Sequence, residues 1–373
     1  MTPRLRRRLF HVASIVLAVG LLYLAFRNVN LAQVADAFRA ANYWWMIPLV
    51  GLLIGANVLR AWRWLVMVDA LPDDASKVDH PPRAPFGETF GALMVGYMVN
   101  YVAPRMGEVA RTANLSARTQ VRFSSLFGTV VSERIVDTAV LAGAVGSAFL
   151  LLLDRLPLLY DAMLAPFVER LESIPVAQLV WIAGGVLLVT AGGARWFWHR
   201  WQDRQSLLRT VWTNTIQPAL VSFRDGMLTL VRSPRRGVLL ASTVGMWLGY
   251  LLLAYLPFPM LGLAAPYGIG LLDAWILMAL GALGLLVPAP GGLGSYHYIT
   301  ILALGLLYDM PEAQAATYAV LTHAAQMAFY TLAGLLTLAI QGVTGTAALQ
   351  GTRPPNDTAP QPEPPTPEQS AVS

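Results

Sequence analysis

The chain has no cysteine, and only 13% of its residues carry a charged side chain. Without thiols it can form neither a disulfide framework nor a thiolate-ligated metal site. Histidine is scarce as well, and its positions are His11, His80, His199, His297 and His323. Such scattered residues predict no metal site.

Sequence motifs for catalysis and cofactor binding are also lacking. The chain contains no Walker-type phosphate loop, no HExxH helix, no GxSxG turn and no dinucleotide fingerprint. We therefore expect no cofactor and no use of ATP, and we favour a non-enzymatic function over an enzymatic one. The net charge of +5 comes from arginines in loops that flank apolar segments, so it predicts no nucleic-acid partner.

Apolar residues are what the chain has in abundance, at 56% of its length with a mean hydropathy of +0.53. Several segments reach the roughly 20 residues that a helix needs to cross a bilayer. The composition therefore predicts an all-α polytopic membrane protein with about six full spans and two broken or re-entrant hairpins. The predicted spans are Leu9–Phe26, which we expect to stay uncleaved, Met46–Val68, Phe123–Leu153, Val176–Trp198, Gly237–Leu256 and Gln314–Ile340.

Loop charge predicts the orientation in the cytoplasmic membrane. The segment from Arg195 to Arg236 holds eight arginines against two aspartates, whereas the loop from Asp154 to Glu172 is mainly acidic. Positive loops stay on the cytoplasmic side. This pattern predicts that both termini are cytoplasmic.

Two proline-and-glycine breaks interrupt apolar segments at corresponding places in the two halves of the chain. The first follows the run 91–103, and the second follows the run 275–287. Proline removes a backbone donor and glycine loosens the backbone, so a helix ends at each break. The break residues are Pro104, Gly107, Pro288, Pro290, Gly291, Gly292 and Gly294.

Paired broken helices are typical of a transporter binding site in an inverted repeat. Arg105, Arg111, Arg118 and Arg122 follow the first break. A hairpin that enters from the cytoplasm keeps these arginines on the cytoplasmic side. When the membrane crossings that follow are counted on this basis, the second hairpin enters from the outside. Two thin membrane crossings are the alternative to each hairpin.

A charged cluster lies within the third predicted span. Glu133 and Asp137 are one helical turn apart and share a face, with Arg134 between them. Each charge at that depth costs about 2.5–3.5 kcal/mol, so these side chains must be paired or hydrated. Arg105 and Arg111 are the expected partners. The cluster is either an ion-pair brace for the hairpin or a headgroup pocket, and one cluster can be both.

Further polar residues complete the predicted binding site. Arg60 and Arg63 are either snorkelling anchors or phosphate contacts, because guanidinium binds phosphate through two parallel hydrogen bonds. Asn100 and Glu108 flank the first break, and His297 follows the second, either as a hydrogen-bonded structural residue or as a ligand contact. The predicted binding residues are Arg60, Arg63, Asn100, Arg105, Glu108, Arg111, Glu133, Arg134, Asp137 and His297.

Four segments in this order resemble the lysylphosphatidylglycerol synthase transmembrane-region family, also known as the flippase-like family. The segments are Arg60-x-x-Arg63-Trp64, Pro104-Arg105-x-Gly107-Glu108-x-x-Arg111, Glu133-Arg134-x-x-Asp137 and Pro288-x-Pro290-Gly291-Gly292-x-Gly294. The resemblance implies a membrane protein with re-entrant elements that handles lipids or lipid-linked glycans. Many members carry glutamate where this chain has His297, which implies a pH-sensitive site here.

Residues 1–342 are predicted to form the transmembrane flippase-like domain, and the proline-rich residues 343–373 a disordered tail without a synthase domain. The leading hypothesis is a transporter for a phospholipid or lipid-linked glycan with an anionic headgroup. Arg105, Arg111 and Arg134 would attract the phosphate. The alternatives are an intramembrane lipid-modifying enzyme and a membrane partner of a glycosyltransferase or synthase, and a homo-oligomer is also possible.

Overall fold

The computed structural model describes residues 16–72, 84–161, 217–284 and 289–342, with isolated helical positions between 165 and 195. Within this part of the chain all the regular elements are helical, which confirms the predicted all-α class. The α-helices are α1 (Val16–Phe26), α2 (Leu31–Ala40), α3 (Met46–Val68), α4 (Phe86–Val102), α5 (Gly107–Thr119), α6 (Phe123–Leu151), α7 (Leu156–Leu159), α8 (Gln217–Arg232), α9 (Arg236–Tyr255), α10 (Pro257–Met260), α11 (Leu271–Gly284), α12 (Ser295–Tyr308) and α13 (Glu312–Ile340). Short 3₁₀ turns lie at Tyr43–Trp45, Leu153–Arg155 and Pro290–Gly292.

Four helical segments among the described residues are long and apolar enough to cross a membrane. They are Tyr43–Val68, Phe123–Leu151, Arg236–Met260 and Glu312–Ile340, and they match four of the six predicted spans. The first predicted span is described from Val16, and α1 and α2 form a pair bent by 79°. The predicted span Val176–Trp198 lies largely outside the described residues, and so does the predicted tail.

The first break is the tip of a helical hairpin formed by α4 and α5. A Cβ atom at Gly107 would lie 2.2 Å from the Gly96 carbonyl oxygen, so glycine allows the two helices to touch. At the open end of the hairpin, Arg118 in the last turn of α5 pairs with Glu88 in the first turn of α4. The chain therefore returns to the end of the bundle from which it entered.

The second break is the tip of a similar hairpin formed by α11 and α12. A Cβ atom at Gly284 would lie 3.0 Å from the Ser295 carbonyl oxygen, which brings these helices together near the tip. At the open end, the Tyr308 hydroxyl donates to an Asp273 carboxylate oxygen over 2.9 Å. Both predicted helix breaks are thus confirmed as hairpin tips, although Pro288 itself lies outside the described residues.

One end of the bundle carries the open end of the first hairpin. There, Asp69 after α3 pairs with Arg235 before α9 at 3.7 Å. Gln341, which follows α13, donates to Glu88 over 3.1 Å. The first hairpin therefore enters from the end at which α3 finishes, α9 begins and α13 finishes.

The opposite end carries the open end of the second hairpin. The Asn42 amide, just before α3, donates to the Met260 carbonyl oxygen over 2.8 Å. Tyr267, just before α11, donates to Gln314 in the first turn of α13 over 2.7 Å. The two hairpins consequently enter from opposite ends of the bundle, in the inverted arrangement that the sequence predicted.

Candidate functional site

Two arginines of α3 face two carboxylates of α6 in the interior of the bundle. An Arg60 nitrogen lies 2.7 Å from Glu133 and 2.6 Å from Asp137. An Arg63 nitrogen lies 2.7 Å from Asp137 and 3.2 Å from Glu133. Residues three or four apart share a helix face, so each helix presents its two charges together.

Glu133 is the centre of this cluster. Besides both α3 arginines it contacts Arg111 of the first hairpin, with 3.1 Å between Oε2 and Nη1. The Arg111 guanidinium also lies over the Trp64 ring, 4.8 Å from its centroid. Cation–π contact is stronger when the cation is desolvated. The predicted brace between hairpin and span is thus present, with Arg111 as its hairpin residue.

Residues of α9 complete the cluster on its other side. Arg60 donates to the Tyr250 hydroxyl over 3.1 Å, and Arg63 donates to the Thr243 hydroxyl over 3.0 Å. Arg60 is 5% exposed and Arg63 is 2% exposed. The snorkelling interpretation of these arginines is therefore wrong, because buried carboxylates hold both guanidinium groups inside the bundle.

The cluster lies well inside the transmembrane helices. Arg60 is eight residues before the end of α3, roughly 12 Å along the helix axis. Glu133 is ten residues after the start of α6, roughly 15 Å along that helix. Charges at such depth are stable only when they are paired or line a hydrated cavity.

A second ion pair lies nearer the surface of the bundle. Arg134 of α6 lies 2.9 Å from Glu108 in the first turn of α5. Their side chains are 38% and 24% exposed, so this pair is accessible whereas the Glu133 pairs are not. Arg134 points away from Glu133 because adjacent residues on a helix do not share a face.

The first tip has a strained and capped backbone. Arg105 has a φ of +63°, a left-handed conformation that costs a non-glycine residue about 1–2 kcal/mol. The Asn100 side-chain oxygen accepts a hydrogen bond of 2.8 Å from the Gly107 amide, which satisfies a free donor at the start of α5. Asn100 therefore holds the tip together, in addition to lining the cavity described below.

The second tip touches the first. Gly291 has a φ of +57°, and a Cβ atom there would lie 2.3 Å from the Tyr101 ring of α4. Gly294 has a φ of +83°, and a Cβ atom there would lie 2.5 Å from the Ala18 carbonyl oxygen of α1. Only glycine satisfies both the left-handed backbone and these close approaches.

A cavity of about 560 Å³ lies between the two tips. Its volume is in the range of ordinary ligand sites. Six of the ten predicted binding residues line it, namely Arg60, Asn100, Arg105, Glu108, Arg134 and Asp137. Break residues Pro104, Gly291 and Gly292 line it too. The structure thus brings both breaks and most of the predicted polar residues to one place.

The remaining four predicted residues do not line this cavity. Arg63, Arg111 and Glu133 belong to the buried cluster that positions Arg60 and Asp137. His297 is 5% exposed and packs against Tyr296 and His323, which do line the cavity. The sequence predicted His297 either as a hydrogen-bonded structural residue or as a ligand contact, and in the structure His323 lines the cavity whereas His297 does not.

Sequence reasoning missed the aromatic part of the cavity wall. This part consists of Tyr97, Tyr101, Trp247, Tyr250, Tyr296, Tyr318 and Tyr330. Tyr97 and Tyr101 are four residues apart just before the first break, so the spacing already places them on one helix face. That signal could have identified two of the seven residues.

Electrostatically, the site is positive. Four arginines and three carboxylates form the ion pairs of the cluster and the cavity wall, which leaves an excess of one positive charge in these ion pairs. Guanidinium groups bind phosphate and carboxylate strongly where water is excluded. The arrangement is therefore suited to an anion, and the described residues contain no group of three or more candidate metal ligands.

Comparison with known proteins gives one match. The family described as lysylphosphatidylglycerol synthase TM region matches residues 11–334 of the chain. No curated protein and no solved structure matches.

Proposed function

Because the chain belongs to the lysylphosphatidylglycerol synthase transmembrane-region family, we propose that it moves an amphiphile with an anionic headgroup across the cytoplasmic membrane. The amphiphile is a phospholipid or a lipid-linked glycan. The observation that carries this proposal is the cavity at the meeting point of two hairpin tips, with its excess of arginine.

Charge balance supports an anionic headgroup. Asp137 and Glu133 are already shared among Arg60, Arg63 and Arg111, so each carboxylate neutralises more than one guanidinium. A phosphate group in the cavity would supply the missing negative charge at low dielectric. A purely cationic headgroup would increase the imbalance.

The surroundings of Arg134 support an amphiphile rather than a free anion. Arg134 and Thr138 line the cavity and also an apolar groove on the outer face of α6. The other groove residues are Val131, Ile135, Ala139 and Ala142. A headgroup in the cavity would leave its acyl or prenyl chain along this groove, among side chains that suit hydrocarbon.

The opposed hairpins support movement between leaflets. Each hairpin enters from one end of the bundle, and their tips meet beside the cavity. Withdrawal of one tip at a time would expose the same headgroup site to one side and then to the other, as inverted repeats do in transporters. The cytoplasmic location of both termini is part of this proposal and follows from loop arginines.

Reconstitution in vesicles tests the proposal. Purified protein is incorporated into vesicles that contain labelled anionic, zwitterionic or glycosylated lipids, and the leaflet distribution is followed with a membrane-impermeant quencher. We expect faster movement of an anionic or glycosylated anionic lipid than in empty vesicles. Movement equal to that in empty vesicles for all three classes would refute the proposal.

A matched pair of variants links any activity to the site. Arg134→Gln removes the accessible guanidinium at the cavity wall, and we expect a loss of lipid movement of tenfold or so. Arg39→Gln removes an exposed arginine of α2 that also has an acidic partner, Asp36. The Arg39 variant should match the unmodified protein, and equal losses in both variants would contradict the assigned site.

Lipid extracts separate transport from the enzymatic alternative. A deletion strain with unchanged lipid species but an altered leaflet distribution supports transport. A missing or accumulated lipid species supports an intramembrane lipid-modifying enzyme instead. Co-purification with a glycosyltransferase or synthase would support the role of a membrane partner.

A further inference from the structure

Two histidines from different helices meet beside the second hairpin tip. His297 belongs to α12 and His323 to α13, and their ring centroids are 4.9 Å apart. Both are buried, with 5% and 7% of their surfaces exposed. They use none of the contacts that hold the arginine–carboxylate cluster, so their role is separate from it.

The contacts of His323 fix its hydrogen-bonding state. Its Nε2 atom lies 2.8 Å from the carbonyl oxygen of Gly291 at the hairpin tip. Since a carbonyl only accepts, Nε2 carries a hydrogen in this arrangement, and a neutral ring then has a free electron pair at Nδ1. His323 therefore holds the tip while keeping a basic nitrogen available.

His297 supplies a second basic position. Its Nδ1 atom is buried and has no hydrogen-bond partner among the described residues. A buried polar atom without a partner is costly, and such atoms in native structures usually serve a role. Here the role that the neighbouring imidazole suggests is to accept or pass on a proton.

The groups that face the pair are mostly neutral. Tyr101 of α4 lies edge-on to His323, Tyr296 of α12 contacts both rings, and α1 contributes the Phe26 ring. Among the described residues these tyrosines are the titratable groups in ring contact with the pair, and neither histidine forms an ion pair with a carboxylate. The charged groups that line the cavity together with His323 are Arg60, Arg105, Glu108, Arg134 and Asp137. Two imidazolium rings at this separation would repel, so the pair holds at most one proton.

We propose that His297 and His323 form a single-proton site that couples proton binding to occupation of the cavity by the anionic headgroup. The coupling rests on the proposed function. His323 lines the cavity, so a negative headgroup there favours the imidazolium form. By linkage, a proton on the pair favours the headgroup by the same factor.

Protonation also affects the hairpin tip. In the imidazolium both ring nitrogens are donors, so the bond from Nε2 to the Gly291 carbonyl becomes charge-assisted and stronger. In the neutral ring the alternative tautomer places the hydrogen on Nδ1 and breaks that bond. The loaded, protonated state thus keeps the tip closed on the cavity, and loss of the proton lets the neutral ring adopt either tautomer, one of which releases the tip.

Nuclear magnetic resonance of histidine-labelled protein tests the proton site without any transport. The protein is placed in phosphatidylcholine nanodiscs and titrated from about pH 8 to about pH 4. We expect one proton for the pair, with simultaneous changes in the signals of His297 and His323. Two independent titrations, or no titration of either ring, would overturn the proposal.

Transport under a pH gradient tests the coupling. Labelled phosphatidylglycerol is followed in protein-containing vesicles with and without a pH difference of about one unit. One proton per lipid predicts about a tenfold change in its leaflet ratio per pH unit. Phosphatidylglycerol movement that ignores the gradient overturns the coupling and leaves the proposed function intact. If phosphatidylglycerol does not move at all, both the proton coupling and the proposed transport of this lipid are refuted.

A conservative variant keeps the tip contact while removing the titration. His323→Gln has an amide that can donate to the Gly291 carbonyl, and glutamine does not ionise. We expect the variant to lose the gradient response, measured as the ratio of phosphatidylglycerol movement with and without the gradient. A full gradient response in His323→Gln would overturn the proposal. Should the variant fail to fold, the titration of the unmodified protein decides alone.

Discussion

Glu133 is the residue whose loss should disturb the bundle most, because it contacts three arginines and its side chain has no exposed surface. In Glu133→Gln the side chain keeps its shape and loses its charge. Asp137 then remains as the carboxylate facing Arg60 and Arg63, and Arg111 loses its ionic partner. Removal of one partner from a buried ion pair costs about 3–5 kcal/mol.

This cost should appear as a lower thermal midpoint in detergent. With an unfolding entropy of about 2.1 cal/mol/K per residue, a loss of about 3–5 kcal/mol lowers the Tm of a chain of this size by roughly 4–6 °C. Tryptophan fluorescence suits the measurement, because Trp64 packs directly against Arg111. The control is Glu312→Gln, an exposed glutamate in the first turn of α13, which should shift the Tm by no more than about 1 °C.

A double variant separates charge from shape. Arg111→Met together with Glu133→Gln removes one positive and one negative charge, so the net charge of the cluster returns to that of the unmodified protein. Neighbours of this kind show coupling energies of about 0.5–3 kcal/mol, and we expect the double variant to recover part of the Tm lost by Glu133→Gln. Equal midpoints for Glu133→Gln and Glu312→Gln would refute the idea that this network holds the first hairpin.

Three further substitutions test the hairpins. Gly107→Ala places a methyl group against the neighbouring helix backbone, so it should lower the Tm measurably, whereas Gly143→Ala meets open space and should raise stability by up to about 1 kcal/mol. In Gly291→Ala the added methyl group collides with the Tyr101 ring, so this variant should reduce lipid movement. The additional substitution Tyr101→Ala should restore part of that movement. No restoration would mean that backbone strain at the tip, and not the collision, causes the loss. Tyr308→Phe removes the hydrogen bond to Asp273 and should destabilise the protein by about 1 kcal/mol in a thermal denaturation assay. An unchanged midpoint would show that this hydrogen bond does not hold the second hairpin.

The parts of the fold that depend on local chemistry were predictable from the sequence. The two breaks follow from proline and glycine, and both are hairpin tips in the structure. The shared face of Glu133 and Asp137 follows from their spacing of four. Helix existence and charge spacing are properties of a short segment, so the sequence shows them directly.

The parts that depend on which helices meet were not predictable. Spacing places Arg60 and Arg63 on one face, but it does not show that this face turns towards α6, 70 residues or more along the chain. The aromatic wall was missed for the same reason, since tyrosines in apolar segments usually indicate a membrane interface. His323 lines the cavity and His297 does not, although their rings are only 4.9 Å apart, and this difference is a matter of packing.

The two hairpins are fastened to the bundle by different kinds of contact. The first is held by ions, through Arg111 with Glu133 and Glu108 with Arg134. Neutral hydrogen bonds hold the second, among them the one from Trp275 to Ser147. Ionic contacts in a dry interior break at a higher cost than neutral ones. In the proposed transport cycle, withdrawal of the second tip should therefore cost less free energy than withdrawal of the first.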